Sequence, residues 1–501
     1  MQLPSQPVGT AEPETSSPQR PLRSIYSTAR LVALATVGVA SGSLYWQARY
    51  LHGLKGGISE YVLVFLVQFS LYLLACYFVV RDKGSLWTGA GRGTRLAGVS
   101  IVLLVAACLR AELIAQTPFL STDVYRYIWD GRVQAAGINP YRYLPSDPEL
   151  ENLRDESIYR FINRRDFAHT IYPPAAQVIF LGIYLVSPSS VPGFKTAMSV
   201  FDLASIAAIM LALRRNGLSP LRVIVFAWHP LVIWEGAHSG HIESAVIAFL
   251  AAALLAWSYK RPALTGAAIA LATLVKFYPA LLLPVFMFSD ASDSVHVPGE
   301  TQWWRHPRGW MTKSRRILLS RSNLQMLAAF AATVLLAYLP YLTVGLGVTG
   351  YLEGYLREEG FVDAGNRYFV LALVREVASL PAFLYAVIAA LLLGVIAVRT
   401  LFLRKRNAVD IAGYGALLVG LFMALSSPRY SWYVASIIPF LCFAPRAGWL
   451  YLSGASVLLY LLWLTDYYPG VPIWLGTALY MPALALLMWE HWKRRSETVN
   501  E

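Results

Sequence analysis

The stretch Leu120-Ser-Thr-Asp-Val-Tyr-Arg-Tyr-Ile-Trp-Asp-Gly-Arg-Val-Gln-Ala-Ala-Gly-Ile-Asn-Pro-Tyr-Arg-Tyr143 is an acidic, aromatic and basic island between very apolar sequence. If Ser121 or Thr122 caps a helix that Gly137 ends, a turn of about 100° per residue sorts its side chains. Asp123, Arg126, Tyr127, Asp130 and Gln134 then share one polar arc, while Val124, Tyr125, Ile128, Trp129, Val133 and Ala136 occupy the rest. Arg132 falls on the apolar side and has to snorkel. The pattern predicts an interfacial helix with two carboxylates on one face, or, in the plainer reading, an amphipathic loop helix whose charges merely meet water.

The sequence around the island is too apolar for soluble domains of ordinary size. Of 501 residues, 56% are hydrophobic and only 14% charged, and the mean hydropathy is +0.49. The chain therefore reads as an all-α polytopic membrane protein. A net charge of +13 would suggest nucleic acid in a soluble protein. Here the cations fall between apolar runs, where they set topology, so nucleic-acid binding is set aside. Cys76, Cys108 and Cys442 lie inside apolar runs without CxxC spacing and read as small core residues, not as a disulfide or metal site. Residues 1–22, rich in Gln, Ser, Pro, Glu and Thr, read as a disordered cytoplasmic tail, and the apolar run after them as a membrane anchor, not a cleaved signal.

Apolar segments at residues 31–46, 61–80 and 96–113 precede the island, and with modest extension or tilt each crosses a ~30 Å hydrocarbon core. Arg20, Arg23 and Arg30 before the first, and Arg81, Lys83, Arg92 and Arg95 between the second and third, mark the cytoplasmic side and place the island outside. The outer region, 116–193, is long and nearly balanced in charge. Its segment 173–186 is too short to span comfortably, and Arg214, Arg215 and Arg222 after the next segment, 194–213, are cytoplasmic only if 173–186 is re-entrant or lies along the outer surface. Segments 223–234 and 242–257 follow. The run 262–288 is too long for one helix and carries Lys276 and Pro279 at its middle, so it is predicted to split into two short helices with Lys276 at an outer bend. That split leaves a basic loop, 290–322, inside. Segment 324–344 then leads to an outer loop, 345–380, carrying Glu353, Arg357, Glu358, Glu359 and Asp363. The last spans are 382–398, 411–425, 430–443, 449–464 and 471–489, their inner ends marked by Arg404-Lys405-Arg406, Arg446 and Lys493-Arg494-Arg495 in a tail at 493–501. The total is about fourteen crossings with both termini cytoplasmic, grouped as 23–115, a core at 194–289, and 323–492. No internal repeat is visible, which disfavours inverted-repeat transporters.

Several polar residues sit where a bilayer disfavours them. Lys276, in Leu274-Val-Lys-Phe-Tyr-Pro279, costs about 2.5–3.5 kcal/mol on insertion scales without a partner. An anionic phosphate would supply one; snorkelling from a shifted helix end is the alternative. His238, His241 and Glu243 gather by parity at the outer ends of two helices. They suit phosphate or sugar hydrogen bonding, or are plain polar helix ends; without an HExxH pattern the zinc reading is weak and no metal is assigned. Ser426-Ser-Pro-Arg-Tyr-Ser-Trp-Tyr433 places Arg429 and three aromatics at another outer end. The rings fit an interfacial belt equally well, whereas a guanidinium can hold phosphate through two parallel hydrogen bonds. Asp202 is an intramembrane acid for which the sequence names no partner.

Taken in order, Thr122-Asp-Val-Tyr125, Gly137-Ile-Asn-Pro-Tyr141, Tyr172-Pro-Pro174, Asp202, His229-Pro-Leu231, Gly240-His241, Lys276-Phe-Tyr-Pro279 and Pro428-Arg-Tyr-Ser-Trp-Tyr433 resemble the GT-C glycosyltransferases. Within them the chain is most similar to bacterial polyprenyl-phosphate-mannose-dependent mannosyltransferases, and more distantly to GPI mannosyltransferase I of eukaryotes. It departs from a common pattern in His229, where many relatives carry Asn, and in Ile242-Glu243, where many carry Asn-Asp. The resemblance implies a GT-C-like fold in the cell membrane whose long first outer loop, with its interfacial helices, is catalytic. It implies transfer of a sugar, mannose by likeness, from a polyprenyl-phosphate donor to a lipid or glycan hydroxyl, with inversion, at the outer face. Asp123 would be the general base, with Asp130, Arg126, Tyr127 and Glu243 supporting it or touching the acceptor. Lys276, Arg429, His241, Tyr278 and Tyr430 would hold the donor phosphate. The implied partners are membrane lipids, donor and acceptor; no cofactor is implied, the lipid-linked sugar phosphate being a substrate. The rival reading is a polytopic transporter or lipid-linked sugar flippase, in which Lys276, Asp202, Arg429 and the histidines line a path and Asp123 is dispensable.

Overall fold

The computed structural model describes residues 19–51, 57–80, 91–288, 316–358, 368–402, 407–464 and 471–499. Outside them lie residues 1–18 of the expected tail, 290–315 of the expected basic loop, and Arg81, Lys83, Glu359, Asp363, Arg404, Lys405 and Arg406. Among the described residues there is no strand, and nine helices are long and apolar enough to cross a membrane. The chain is an all-α polytopic membrane protein.

Helices α1 (Gln19–Gln47), α2 (Ile58–Val80) and α3 (Arg92–Ile114) cover the first three expected spans. Helix α4 (Asp123–Ala135) is the island, α5 (Pro174–Val186) the short segment, and α6 (Val191–Arg215) the next long span. Then come α7 (Glu243–Ser258), α8 (Pro262–Thr273), α9 (Arg321–Tyr338), α10 (Leu352–Glu358), α11 (Phe369–Arg375), α12 (Ala382–Phe402), α13 (Ala408–Ser426), α14 (Ala447–Ala455) and α15 (Ile473–Val499). The expected division of 262–288 is present: α8 stops at Thr273, and a tight 3-10 turn, Tyr278–Leu282, begins beyond Lys276.

The expected crossings at 223–234 and 430–443 are not continuous helices. The first is a chain of short pieces, Pro220–Val223, Ile224–Ala227 and Pro230–Ile233, ending in a single π turn, Trp234–His238. Pro230 pushes His229 into an extended conformation, and the chain bends there. Side chains take up backbone groups that a helix would have satisfied: Tyr72 donates to Val225 O at 2.9 Å, and Arg110 to Ala227 O at 2.9 Å. The second is a 3-10 segment, Ser431–Ile437, with one α turn, Ile438–Leu441. Asp202 has a partner after all. Arg110 Nε donates to its Oδ2 at 3.0 Å, and the two side chains are 2% and 0% exposed, pinning α3 to α6.

Helix α4 does not lie exposed on the protein's surface. Every residue from Val124 to Val133 is buried. Tyr127 stacks on Phe180 of α5 with ring centroids 4.8 Å apart, and Trp129 lies against Tyr159 of the loop. Arg132 does not snorkel: it donates to Leu153 O, Asp155 Oδ2 and Ser189 Oγ, each at 2.8 Å, and staples the loop to α4. Of the expected polar arc, Asp123 and Arg126 line a cavity and Asp130 and Gln134 meet other polar side chains, whereas Tyr127 packs into the aromatic core. The helix stops just before Gly137, whose φ of +78° turns the chain away.

Candidate active site

A cavity of about 830 Å³ opens where the N-terminus of α4, the bend after α8, the segment around α10 and the residues following α13 approach one another. Six of the residues singled out from the sequence line it: Asp123, Arg126, Lys276, Tyr278, Arg429 and Tyr430. Asp123 stands at the first turn of α4, and Ser121 Oγ accepts from its backbone N–H at 3.1 Å. Its carboxylate Oδ1 accepts from Asn163 Nδ2 at 2.9 Å, so one oxygen is held by the loop. Arg126, one turn on, donates to Asp130 Oδ1 at 2.9 Å and to Ala168 O at 3.1 Å. Lys276 ion-pairs with Glu243, and its ammonium sits 4.2 Å from the centroid of the Tyr433 ring. Tyr430 and Trp432 stack at 4.4 Å, and with Trp463, Phe422 and Phe277 they give the cavity an aromatic wall.

The other four stand behind the cavity. Asp130 is buried and accepts from Arg126, from Thr170 Oγ1 at 2.5 Å and from Gln177 Nε2 at 3.1 Å. It orients Arg126. Tyr127 belongs to the aromatic core between α4 and α5. Glu243 is the counter-ion of Lys276. His241 is fully enclosed: Nδ1 is 2.9 Å from Glu235 Oε2, and the ring lies 4.1 Å from that of Trp432, so it backs the aromatic wall without lining the cavity. His238 is likewise buried, and among the described residues no group of three or more His, Cys, Asp or Glu is arranged to hold a metal ion.

Four residues near the site were not foreseen. Glu235 Oε1 accepts from Ser431 Oγ at 2.8 Å and Tyr460 OH at 2.7 Å, joining the π turn to two later segments. Arg110 is the partner of Asp202. Asn163 holds Asp123, and Arg164 lines the cavity while paired with Glu358. Burial opposes the charge on Arg164, but the Glu358 carboxylate outweighs it and raises the pKa. Burial, followed by the Asp123 charge, pushes the Tyr172 phenol well up, so this cavity residue stays a protonated donor.

Fold and site together define a polytopic membrane protein whose helix ends enclose a carboxylate, several cations and an aromatic wall in one chamber. The family model described as Alpha-(1->6)-mannopyranosyltransferase, N-terminal domain (MptA_B family) matches residues 26–291, and the chain belongs to that family. Its activity is accordingly that of a mannosyltransferase, with a sugar donor and an acceptor. The matched region contains Asp123, Glu243, Lys276 and Tyr278, and ends before Arg429 and Tyr430. No curated protein matches the chain.

Proposed function

We propose that the protein transfers mannose from a polyprenyl-phosphate donor to a hydroxyl of a lipid or glycan acceptor, with inversion, at the outer face of the cell membrane. The observation that carries this reading is the single cavity that presents the Asp123 carboxylate, Lys276 and Arg429 to one volume. Asp123 takes the proton of the acceptor hydroxyl as that oxygen bonds to the anomeric carbon. The bond from that carbon to the phosphate oxygen breaks, and its electron pair leaves with the phosphate. Lys276 and Arg429, with Arg126, stabilise the charge that develops there, a contribution of several kcal/mol in a water-poor chamber. Because the leaving group is already a phosphate, the step requires no metal. Phe277, Phe422, Met423, Leu462 and Trp463 give the same cavity an apolar side suited to the polyprenyl chain. The outer-face assignment rests on the basic residues flanking the early spans.

Purified protein supplied with labelled polyprenyl-phosphate mannose and a panel of acceptors tests the proposal. Asp123→Asn is expected to lower transfer by about 10²- to 10⁴-fold, the usual contribution of a positioned general base. Full transfer by Asp123→Asn would remove the base. Movement of intact lipid-linked sugar across vesicles without transfer would replace the enzyme with a flippase.

A further inference from the structure

Arg164 combines two features. It is one of four described non-glycine residues with a left-handed backbone, at φ +53°, and its guanidinium lines the cavity while bound to a carboxylate from a distant segment. Nε lies 2.8 Å from each oxygen of Glu358 and Nη2 2.7 Å from Oε1, a multiply hydrogen-bonded pair with each side chain about three-quarters buried (25% and 24% exposed). A strained backbone of this kind persists only where its surroundings hold it. The residue before it is Asn163, whose amide binds both Asp123 Oδ1 and, at 3.4 Å, Thr122 Oγ1.

The segment that brings Glu358 to Arg164 is seated on the catalytic loop at several further points. At Gly350, with φ +55°, a Cβ would fall 1.7 Å from Thr170 O, so only glycine allows the approach. Tyr351 N donates to the same carbonyl at 3.4 Å, and the Tyr351 ring meets Phe167 edge-on at 5.9 Å. On the far wall the Tyr355 and Tyr433 hydroxyls are 2.9 Å apart. Segment 350–358 thus bridges the cavity from the loop that carries Asn163 to the wall that carries Arg429.

The geometry points to Glu358 as a positioning residue for the transfer: docked on Arg164, it fixes the Asn163-Arg164 corner, and through Asn163 it orients the Asp123 carboxylate. This rests on the reading of Asp123 as the base. Its consequence is that the base is aligned only when α10 is seated, so chemistry is coupled to the presence of the wall that encloses the substrates.

Transfer kinetics of the full-length protein test it. Glu358→Gln and Arg164→Lys keep shape but lose the paired geometry, and each is expected to lower kcat by about ten- to a hundredfold, since misplacing a catalytic group by about 1 Å costs up to ~10²-fold. The donor KM should stay within about threefold. The double variant should be no worse than the worse single, and Glu358→Gln should add nothing in an Asn163→Ala background, because the link to the base is then already cut. Glu353→Gln, on the exposed side of the same helix, should be unchanged. Unchanged kcat in Glu358→Gln, additive losses in the double variant, or a loss confined to KM would each overturn the assignment. Asp123→Asn is measured in parallel. If it abolishes transfer while Glu358→Gln is fully active, only the positioning role falls; if Asp123→Asn is active, the reading of the base falls with it.

Discussion

If Lys276 holds the donor phosphate as proposed, it does so while already paired, and that sets a sign that can be tested. Glu243, its partner, is 2% exposed, while Lys276 is 14% exposed and reaches the cavity. A donor phosphate therefore meets a lysine whose charge is shared with a carboxylate immediately behind it. Lys276→Ala does two things at once: it removes an attraction, and it leaves Glu243 buried and anionic beside the phosphate. Two unit charges about 6 Å apart at an effective dielectric of about 20 repel by about 3 kcal/mol, which alone is roughly a hundredfold in affinity. Removing both, in Lys276→Ala/Glu243→Ala, abolishes the repulsion and should recover a large part of that loss. Glu243→Gln acts in the opposite direction: it leaves the ammonium fully available, so phosphate binds more tightly and the lipid product leaves more slowly, lowering KM and kcat together. The assay is equilibrium binding of a short-chain polyprenyl phosphate to purified protein, read from the fluorescence of Trp432 and Trp463, which line the cavity. A double variant that binds no better than Lys276→Ala, or a Glu243→Gln protein that binds less tightly than wild type, would refute the reasoning.

The buried pair of Arg110 and Asp202 predicts an asymmetry in stability. Asp202→Ala leaves an uncompensated guanidinium and should cost about 3–5 kcal/mol, whereas Arg110→Met/Asp202→Leu should cost only the about 1–3 kcal/mol of the Ala227 carbonyl that Arg110 no longer satisfies; thermal unfolding in detergent separates the two. In the outer loop, the Arg132 guanidinium holds the Asp155 carboxyl well below the usual carboxylate range, aided by the Ser157 hydroxyl and the backbone N–H groups of Tyr159 and Ile158. A depressed folded-state pKa contributes stability above the unfolded value, near ~4, and that contribution fades as pH falls further. Proteolysis of the loop should therefore accelerate below about pH 4 in wild type, while Asp155→Asn should be more susceptible at pH 7 and lack the acid-dependent step.

Hydropathy made the long spans legible because a bilayer writes its thickness directly into about twenty residues of sequence. The bend at Lys276 was legible for a different reason: a charge and a proline in one apolar run leave few other solutions. Periodicity finds most of the polar residues of α4, but it cannot distinguish a face turned to water from one turned to a cavity. The resemblance implies His241 at the donor phosphate, whereas in the structure Glu235, six residues earlier, holds it behind Trp432. Arg110 had a readable signal, since it and Asp202 are opposite charges inside two apolar runs and each requires a partner. Asn163 and Arg164 had none. Their contacts depend on how an irregular loop is folded, Asn163 against Asp123 of α4 and Arg164 against a segment almost two hundred residues away, which no local pattern encodes.

The segments that fit the span count worst are those nearest the chemistry. Helix α5, at 13 residues, reaches only about 20 Å. It packs behind the helix that carries Asp123. The broken stretch from Pro220 to His238 carries Glu235, the bend after α8 carries Lys276, and the interrupted segment from Ser431 to Leu441 begins just after Arg429. Irregular backbone at membrane depth is tolerated only where protein buries it or where it lines a cavity. The gap between the nine helical segments long and apolar enough to span among the described residues and the larger number of expected crossings is therefore informative in itself. It marks the short and broken segments as the elements around which the cavity is assembled, and the long, regular spans as the frame that holds them.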